Sequence, residues 1–474
     1  MKKRLLSGLL AAAMLLALAP AALAASVPAQ DEVAQVLAAL DIMVGDENGN
    51  LNLGSTVTRA EFAKLSVAAT PAGDAVGDTV SISPYPDVPK TNWAAPWIKA
   101  AVDQGLVKGN LHGYFEPNRT ITLAEGVTIA LRLLGYQDSD FTGVWPAGQM
   151  AQYRALKLDV GVTCGTNDAM SRKDAMYLFY NLMTAASKTT GTYYINTLEP
   201  GMVNAAGEID RVALINSAME GPVVAEGNWQ SQIPFNVNTA KVYRGGASST
   251  LSAVQNLDVV YWSESMRTIW AYNNKATGTY EKASPSASAP TSVTVAGKTY
   301  AIENTAAAFD LSDLGAYQVG DNVTVLLGRD GGVAAVRSAV QSSSVVYGMV
   351  IAANTNTYED SKGNAYTANA ITVRATDGNE YTYQVSEKSL KAGALVRVSS
   401  GENGVTAKRL TTTSLSGKVN AAGTKIGSYA LADDVEILDV YKETGAVKVY
   451  PSRIAGVNLT EKMVKFYATN AQGE

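Results

Sequence analysis

Two hydrophobic periodicities divide this chain. Up to about residue 188, apolar residues recur three and four apart, the spacing of one helix face. Phe62 and Leu65 follow Thr58; Val127, Ala130 and Leu134 follow Thr122; Met176, Phe179 and Leu182 follow Ser171. Each of these starts reads Ser/Thr-x-x-Glu/Asp: Thr58–Glu61, Thr122–Glu125 and Ser171–Asp174. The hydroxyl caps the helix, and the acid three residues on reaches back to the cap's own N–H. An earlier helix is predicted from about Trp93 to Gly105, with Trp97, Ile98, Ala101 and Val102 inward and Gly105 closing it. Beyond Ser187 the helical period stops. Alternating strand patterns replace it at 259–262, 268–272, 323–327, 333–336, 372–375 and 447–450, with turns at Asp330-Gly-Gly, Asp377-Gly-Asn and Thr444-Gly.

The helical part repeats. Gly45, Gly49, Leu51, Val57 and Glu61 align without a gap on Gly109, Gly113, Phe115, Ile121 and Glu125, since 61−45 and 125−109 are both 16. A third copy keeps Gly161 and Gly165 but loses three residues before Asp174. Self-similarity of this kind marks units that bury their apolar faces on one another. The strand-rich half carries a weaker repeat. Gly278, Gly348 and Gly417 lie 70 and 69 residues apart, each taken as opening a strand. Gly320-Asp-Asn-Val and Gly393-Ala-Leu-Val each lead into a hairpin.

The run Tyr85-Pro-Asp-Val-Pro, Trp93-Ala-Ala-Pro-Trp97-Ile, Gly105-Leu-Val-Lys-Gly109, Gly113-Tyr-Phe-Glu-Pro and Ile121-Thr-Leu-Ala-Glu125 resembles an S-layer homology (SLH) domain. Val57-Thr-Arg-Ala-Glu61 matches the family signature almost letter for letter. The resemblance covers residues 31–188. It implies a multidomain α plus all-β protein, whose N-terminal SLH repeats form an all-α pseudo-threefold bundle. It also implies non-covalent anchoring to a secondary cell-wall polysaccharide, often one bearing pyruvate ketals. The strand-rich half resembles the stalk of clostridial surface proteins and is expected to form tandem small β-barrel or sandwich modules. The expected layout is a signal peptide at 1–24 and SLH repeats at 31–70, 84–136 and 137–188. β modules follow at 190–277, 278–347, 348–416 and 417–474, the last incomplete.

The N-terminus supports export. Lys2, Lys3 and Arg4 precede an apolar run from Leu5 to Ala19, and Ala22-Leu-Ala24 is a small-residue cleavage site. No second apolar span follows, so no membrane partner is expected after cleavage. The 474 residues carry a formal net charge of −5 with charges dispersed, which gives no footprint for nucleic acid. The single cysteine, Cys164, excludes an intrachain disulfide and is expected as a small buried residue of copy three. One histidine, His112, leaves histidine-based zinc sites and Ser-His-Asp triads almost nothing to build on. Asp46-Glu-Asn48-Gly-Asn50 lacks the bidentate acid of a calcium loop, and Gly297-Lys-Thr is a hairpin turn. No cofactor, metal or catalytic group is expected.

Arg59 is not needed by its cap, and a guanidinium at a helix N-terminus opposes the macrodipole. An anion held by it and by helix N–H groups would compensate. The resemblance implies that this Arg reads the pyruvate carboxylate. Arg172 holds the equivalent place in copy three. Leu123 holds it in copy two, with Arg119 close enough to substitute. Trp93, Trp97 and Trp145 are candidates for stacking on sugar rings or for the core. Gly109 either admits a sugar to the backbone or satisfies a positive φ. The expected binding set is therefore Arg59, Arg172, Trp93, Gly109 and Arg119, with Arg59 contributing most. The function expected is that of a surface or S-layer protein, with self-association in a lattice as a further partner. A wall-anchored polysaccharide-degrading enzyme, with its site in the β-rich half, is the alternative.

Overall fold

The computed structural model describes residues 27–204, 206–339, 344–359, 364–401, 404–433 and 435–474. The expected export signal lies outside these residues. The chain divides into two compact units, one running to Met219 with Ser263–Met266, the other holding Glu220–Trp262 and Arg267–Glu474. The first is helical and the second β-rich.

In the helical unit three pairs of helices alternate. These are α1 (Gln30–Ala39) with α2 (Arg59–Ala68), α3 (Ala95–Asp103) with α4 (Leu123–Leu133), and α5 (Ala147–Ala155) with α6 (Arg172–Thr184). A seventh, α7 (Arg211–Ser217), follows. Each pair is joined by a glycine-containing loop. Gly105 closes α3 with φ 70°, as its position requires. Ile98 and Ala101 are buried, while Trp97 and Val102 are half-buried. One apolar core runs through all six helices, with Phe62 against Phe179 at 5.3 Å between ring centroids. Gly126 of α4 sits at its centre, where an added Cβ would meet Met170 Sδ at 2.7 Å and Phe62 Cζ at 3.1 Å.

All three capping boxes form. Thr58, Thr122 and Ser171 each accept from the third amide of their helix, and Glu61, Glu125 and Asp174 reach back to the cap's N–H. The residues just before the caps close a ring of backbone hydrogen bonds. Val57 donates to Met170, Met170 to Ile121, and Ile121 to Val57, each at 2.9 Å. Helix starts leave their first amides without intrahelical acceptors. Here the next copy's loop supplies them. Arg59 and Ala60 N–H donate to Arg119 and Pro117 carbonyls, Leu123 and Ala124 to Asp168 and Thr166, and Arg172 and Lys173 to Ser55 and Leu53.

The β-rich unit contains a five-stranded sheet ordered β1-β4-β5-β2-β3. Its strands are β1 (Glu220–Val224), β2 (Lys241–Arg244), β3 (Ala247–Ser249), β4 (Val259–Ser263) and β5 (Thr268–Tyr272). A ten-stranded sheet follows, with the order β10-β9-β6-β13-β12-β11-β14-β15 and with β7 and β8 attached to β6. These strands are β6 (Lys275–Ser284), β7 (Ser292–Val295), β8 (Lys298–Ala301), β9 (Asn322–Leu327), β10 (Val333–Ser338), β11 (Ser344–Glu359), β12 (Ala365–Ala375), β13 (Glu380–Val385), β14 (Leu395–Gly401) and β15 (Gly404–Arg409).

The 70-residue repeat is a topology. β6 pairs with β7 and β9, β7 with β8, and β9 with β10; β11 pairs with β12 and β14, β12 with β13, and β14 with β15. Tandem small β-barrel or sandwich modules are the expected form; the strands of this unit lie in open sheets. The physical reason is that β13 adds alongside β6 in parallel, Tyr381 opposite Lys275, and fuses two repeats into one sheet. The expected boundaries at 277/278 and 347/348 consequently fall inside β6 and β11. Gly278 and Gly348 lie within these strands rather than at their starts.

Past Arg409 only two-stranded pairs remain among the described residues. Gly417 pairs with Leu459, and residues 464–469 are in no strand. That last segment contacts earlier chain instead. Thr413 N–H donates to the Lys465 carbonyl at 3.2 Å, and Phe466 stacks on Tyr347.

Candidate functional site

The first residue of each capped helix reaches across to the loop of the next copy. Arg59 Nε donates to the Phe115 carbonyl at 2.9 Å and Nη2 to Lys108 at 3.1 Å. Arg172 repeats this on copy one, with Nε to the Leu51 carbonyl at 2.8 Å and Nη2 to Val44 at 3.4 Å. Leu123 holds the third place and is buried. The N–H groups of these helix starts are already bonded to loop carbonyls and cap hydroxyls. The expectation that they would join the guanidinium in holding an anion therefore fails. What remains available is the guanidinium edge.

Around Arg59 that edge meets charge from the protein itself. Nη1 lies 3.6 Å from Glu125 Oε1. Arg119 forks the same carboxylate, Nη2 to Oε1 at 2.6 Å and Nη1 to Oε2 at 3.2 Å, and also pairs with Glu116 at 3.1 Å. Burial pushes the Arg59 guanidinium below its ordinary range, against the pull of Glu125. Burial works to raise Glu125 too, but the Arg119 hydrogen bonds, the Thr122 N–H and the Arg59 charge hold it below the usual carboxylate range. Arg59 stacks over Phe115 at 4.8 Å, and Phe115 packs on Tyr85 at 5.5 Å. Gly109 completes this layer, since an added Cβ there would lie 2.6 Å from Tyr85 Cε1. The requirement for glycine is thus the tyrosine ring, and neither a positive φ nor a ligand is needed to explain it.

Around Arg172 the surface opens. Arg172, Gly45, Trp93, Trp97, Glu61 and Lys64 line a cavity of about 520 Å³, with further acids on its wall. Trp93 is 57% exposed, and Lys64 Nζ lies 5.5 Å over the Trp97 ring. The structure therefore brings together Arg172 and Trp93 from the expected set. Arg59, Gly109 and Arg119 belong to the other cluster. Trp145 stands two residues before α5, as Trp93 does before α3. It is 51% exposed, and its indole N–H donates to Thr128 Oγ1 at 3.1 Å. Of the cavity residues, Lys64 is not singled out by the sequence, and Glu61 is singled out there only as the capping acid. Their signal was position, in the first and second turns of a helix whose start was already identified.

Cys164 is half-buried, and burial pushes its thiol up to about 12, with the Asp174 charge adding to the effect. Asp46 closes a turn, its carboxylate accepting from the Asn48 and Asn50 N–H groups at 2.9 Å. Among the described residues no helix is long and apolar enough to cross a membrane.

Comparison with known proteins agrees with this geometry. Residues 24–63 and 84–125 match the S-layer homology domain family. The chain is similar to the "Middle cell wall protein" of Brevibacillus brevis, with 31% identity over 191 residues, 38% of this chain and 18% of that protein. It is also similar to the "Surface layer protein" of Brevibacillus choshinensis, with 33% identity over 168 residues, 34% of this chain and 15% of that protein. An "Endoglucanase" of a Bacillus species is 28% identical over 102 residues, 22% of this chain and 10% of that protein. The chain thus spans less than a fifth of the length of these relatives. Residues 24–63 and 84–125 thus match the S-layer homology domain, and the two Brevibacillus relatives carry the names of a cell-wall and a surface-layer protein.

Proposed function

We propose that this chain is held non-covalently on a secondary cell-wall polysaccharide, probed most directly as a pyruvylated polymer, by three SLH copies. Residues 137–188 are the third copy. The closed hydrogen-bond ring of Val57, Ile121 and Met170 supports a pseudo-threefold arrangement of all three. The observation that carries the reading is the cavity in which a guanidinium edge, two tryptophans and a glycine converge. A guanidinium binds a planar carboxylate in a fork, and indoles offer faces to sugar rings. The β-rich unit then serves as a non-catalytic stalk, a role in keeping with its open sheets and small cores. Self-association in a surface lattice is consistent with the surface-layer relative.

The test is co-sedimentation of the full chain with purified cell walls, before and after the pyruvyl groups are removed. Retention on intact walls and release from stripped ones is the expected result. Undiminished binding to stripped walls would refute the pyruvylated ligand. The endoglucanase relative motivates a second reading, an anchored polysaccharide-degrading enzyme. Release of reducing sugar from wall or plant polysaccharide by the purified chain would establish it.

A further inference from the structure

Three strand arginines of the β-rich unit meet an acid. Arg244 forks Asp258 at 2.7 and 3.1 Å, Arg337 forks Glu226 at 2.7 and 3.0 Å, and Arg374 pairs with Glu380 on the facing strand. Arg397, in the middle of β14, does not. Its register partner on β15 is Lys408, a second cation. Facing residues of an antiparallel pair hold their Cβ atoms about 4.5–5.5 Å apart, and like charges so placed are destabilising. Among the described residues no carboxylate pairs with either cation, and the Arg397 side chain bonds through Nη1 to Ser399 Oγ at 2.8 Å.

On the other side of Arg397 stands Tyr347 of β11, which stacks on Phe466 at 5.8 Å between ring centroids. The acid of this row is Glu436, which accepts from the Thr376 hydroxyl at 2.5 Å. Thr376 lies beyond Tyr347, whose carbonyl takes its N–H, so it stands two strand spacings from Arg397, about 10 Å. Arg397 is half-buried and Lys408 exposed, and the row opens to solvent at β15, the last strand of the sheet.

We infer that the outward row of β14 and β15 is a phosphate-binding site, with Arg397 and Lys408 as its cations, and that it takes the phosphate monoester of a sugar. A carboxylate forked by a guanidinium spends both oxygens on it and leaves a neighbouring ammonium unmatched. A phosphate monoester has three free oxygens and a charge of about −1.5 to −2 at pH 7. Two oxygens can take the Nε–Nη2 edge of Arg397, which Ser399 leaves unused, and the third can take Lys408. The Tyr347–Phe466 stack beside them offers an apolar face to a sugar ring. The free protein bears the repulsion of two facing cations, and bound phosphate cancels it. All of these residues belong to the β-rich unit, so the inference is independent of the anchoring reading.

The experiment is retention of the full chain on phosphocellulose, carboxymethyl cellulose and plain cellulose, read as the salt concentration that elutes it. The wild type should elute from phosphocellulose at higher salt than from carboxymethyl cellulose and pass through plain cellulose. Arg397→Gln and Lys408→Gln should each elute from phosphocellulose at lower salt. Lys425→Gln, which removes an exposed cation elsewhere in the same unit, should elute with the wild type. Lys408→Glu should abolish retention and raise the Tm of the β-rich unit, because facing repulsion becomes attraction. Unchanged elution of Arg397→Gln and Lys408→Gln would overturn the inference. So would an equal drop in Lys425→Gln, retention on carboxymethyl or plain cellulose as strong as on phosphocellulose, or a lower Tm in Lys408→Glu. Glucose 6-phosphate should release the bound chain at lower concentration than phosphoserine does. Equal release by the two would overturn the sugar as the carrier of the phosphate.

Discussion

Asp174 is 3% exposed and carries more hydrogen bonds than its capping role demands. Its Oδ2 serves Ser171, and its Oδ1 accepts from the Thr163 N–H at 2.7 Å and the Thr163 hydroxyl at 3.0 Å. Burial works to raise this carboxyl, but the hydrogen bonds of Ser171 and Thr163 win and hold it below the ordinary value of 3.8. A folded-state value below the unfolded one means the stabilisation is present above the unfolded value and lost as pH falls through the folded one. Asp174→Asn should therefore cost on the order of 1–2 kcal/mol near pH 7. The gap to wild type should close below pH 3. Urea unfolding of the helical unit at pH 7, 4 and 2.5 measures it, and a gap that persists at low pH would show that the carboxylate charge is not the cause. At the same scale, Thr58→Ala, Thr122→Ala and Ser171→Ala should each cost about 1 kcal/mol. The capping residues were legible in the sequence because a box is a local pattern. The partners of Arg59 and Arg172 were not, since Phe115 and Leu51 lie 56 and 121 residues away. Reading the arginines as needing an outside anion followed from treating each helix start alone, when the next copy's loop supplies most of what they need.

Among elements, the strand repeat shows what a glycine register means. Gly278, Gly348 and Gly417 were visible as a period, but not their reason, which is close approach of other parts of the chain. An added Cβ at Gly278 would lie 2.8 Å from the Cβ atoms of Ala296 and Gln384. At Gly348 it would lie 2.7 Å from Val373 Cγ1 and 2.9 Å from Ala375 Cα, and at Gly417 2.9 Å from Gly427 N. Each glycine marks where a neighbouring strand or turn comes too close for a side chain. Gly278→Ala and Gly348→Ala should each destabilise the β-rich unit by about 1–3 kcal/mol through overpacking. Gly54→Ala and Gly77→Ala, with nothing within 4 Å of the added Cβ, should change stability little. Denaturant midpoints of the four variants compare the two classes. The strands themselves were legible from alternation, since 259–263, 268–272 and 333–338 hold the expected segments. The parallel joining of β13 to β6 was not, because no sequence period records which edge a strand will find.

At the scale of the whole molecule, each unit has apolar cores of its own among the described residues. Phe62 and Phe179 belong to the helical core, while the β-rich unit holds three smaller cores. Phe62→Ala should cost about 3–5 kcal/mol by cavity formation and lower the calorimetric transition of the helical unit alone. Within the β-rich unit the small cores are tied by polar contacts between sheets. Arg337 of β10 forks Glu226 just after β1 at 2.7 and 3.0 Å, and Tyr261 of β4 donates to Glu303 just after β8. Gly328 leaves the room in which that second contact sits, since a Cβ there would strike both the carboxyl and the phenol oxygen. Burial raises the Glu303 carboxyl above its ordinary 4.5, although the Tyr261 hydrogen bond and Arg329 pull the other way and Asp330 adds to the rise. The sign is opposite to that of Asp174. A folded-state value above the unfolded one gives stabilisation that is complete below the unfolded value and lost as pH rises through the folded one. The Tm of the β-rich unit should therefore fall between pH 4.5 and neutrality by a part that Glu303 causes. Glu303→Gln keeps the acceptor for Tyr261 and removes the ionisation, so its Tm should stay level over that window and exceed the wild type's at pH 7. Tyr261→Phe should lower Tm more at pH 7 than at pH 4.5, because the phenol donates to the carboxyl and favours its ionised form. A Glu303→Gln profile parallel to wild type across the window would show that this carboxyl is ionised in the folded protein and that the tie between β4 and β8 is insensitive to pH.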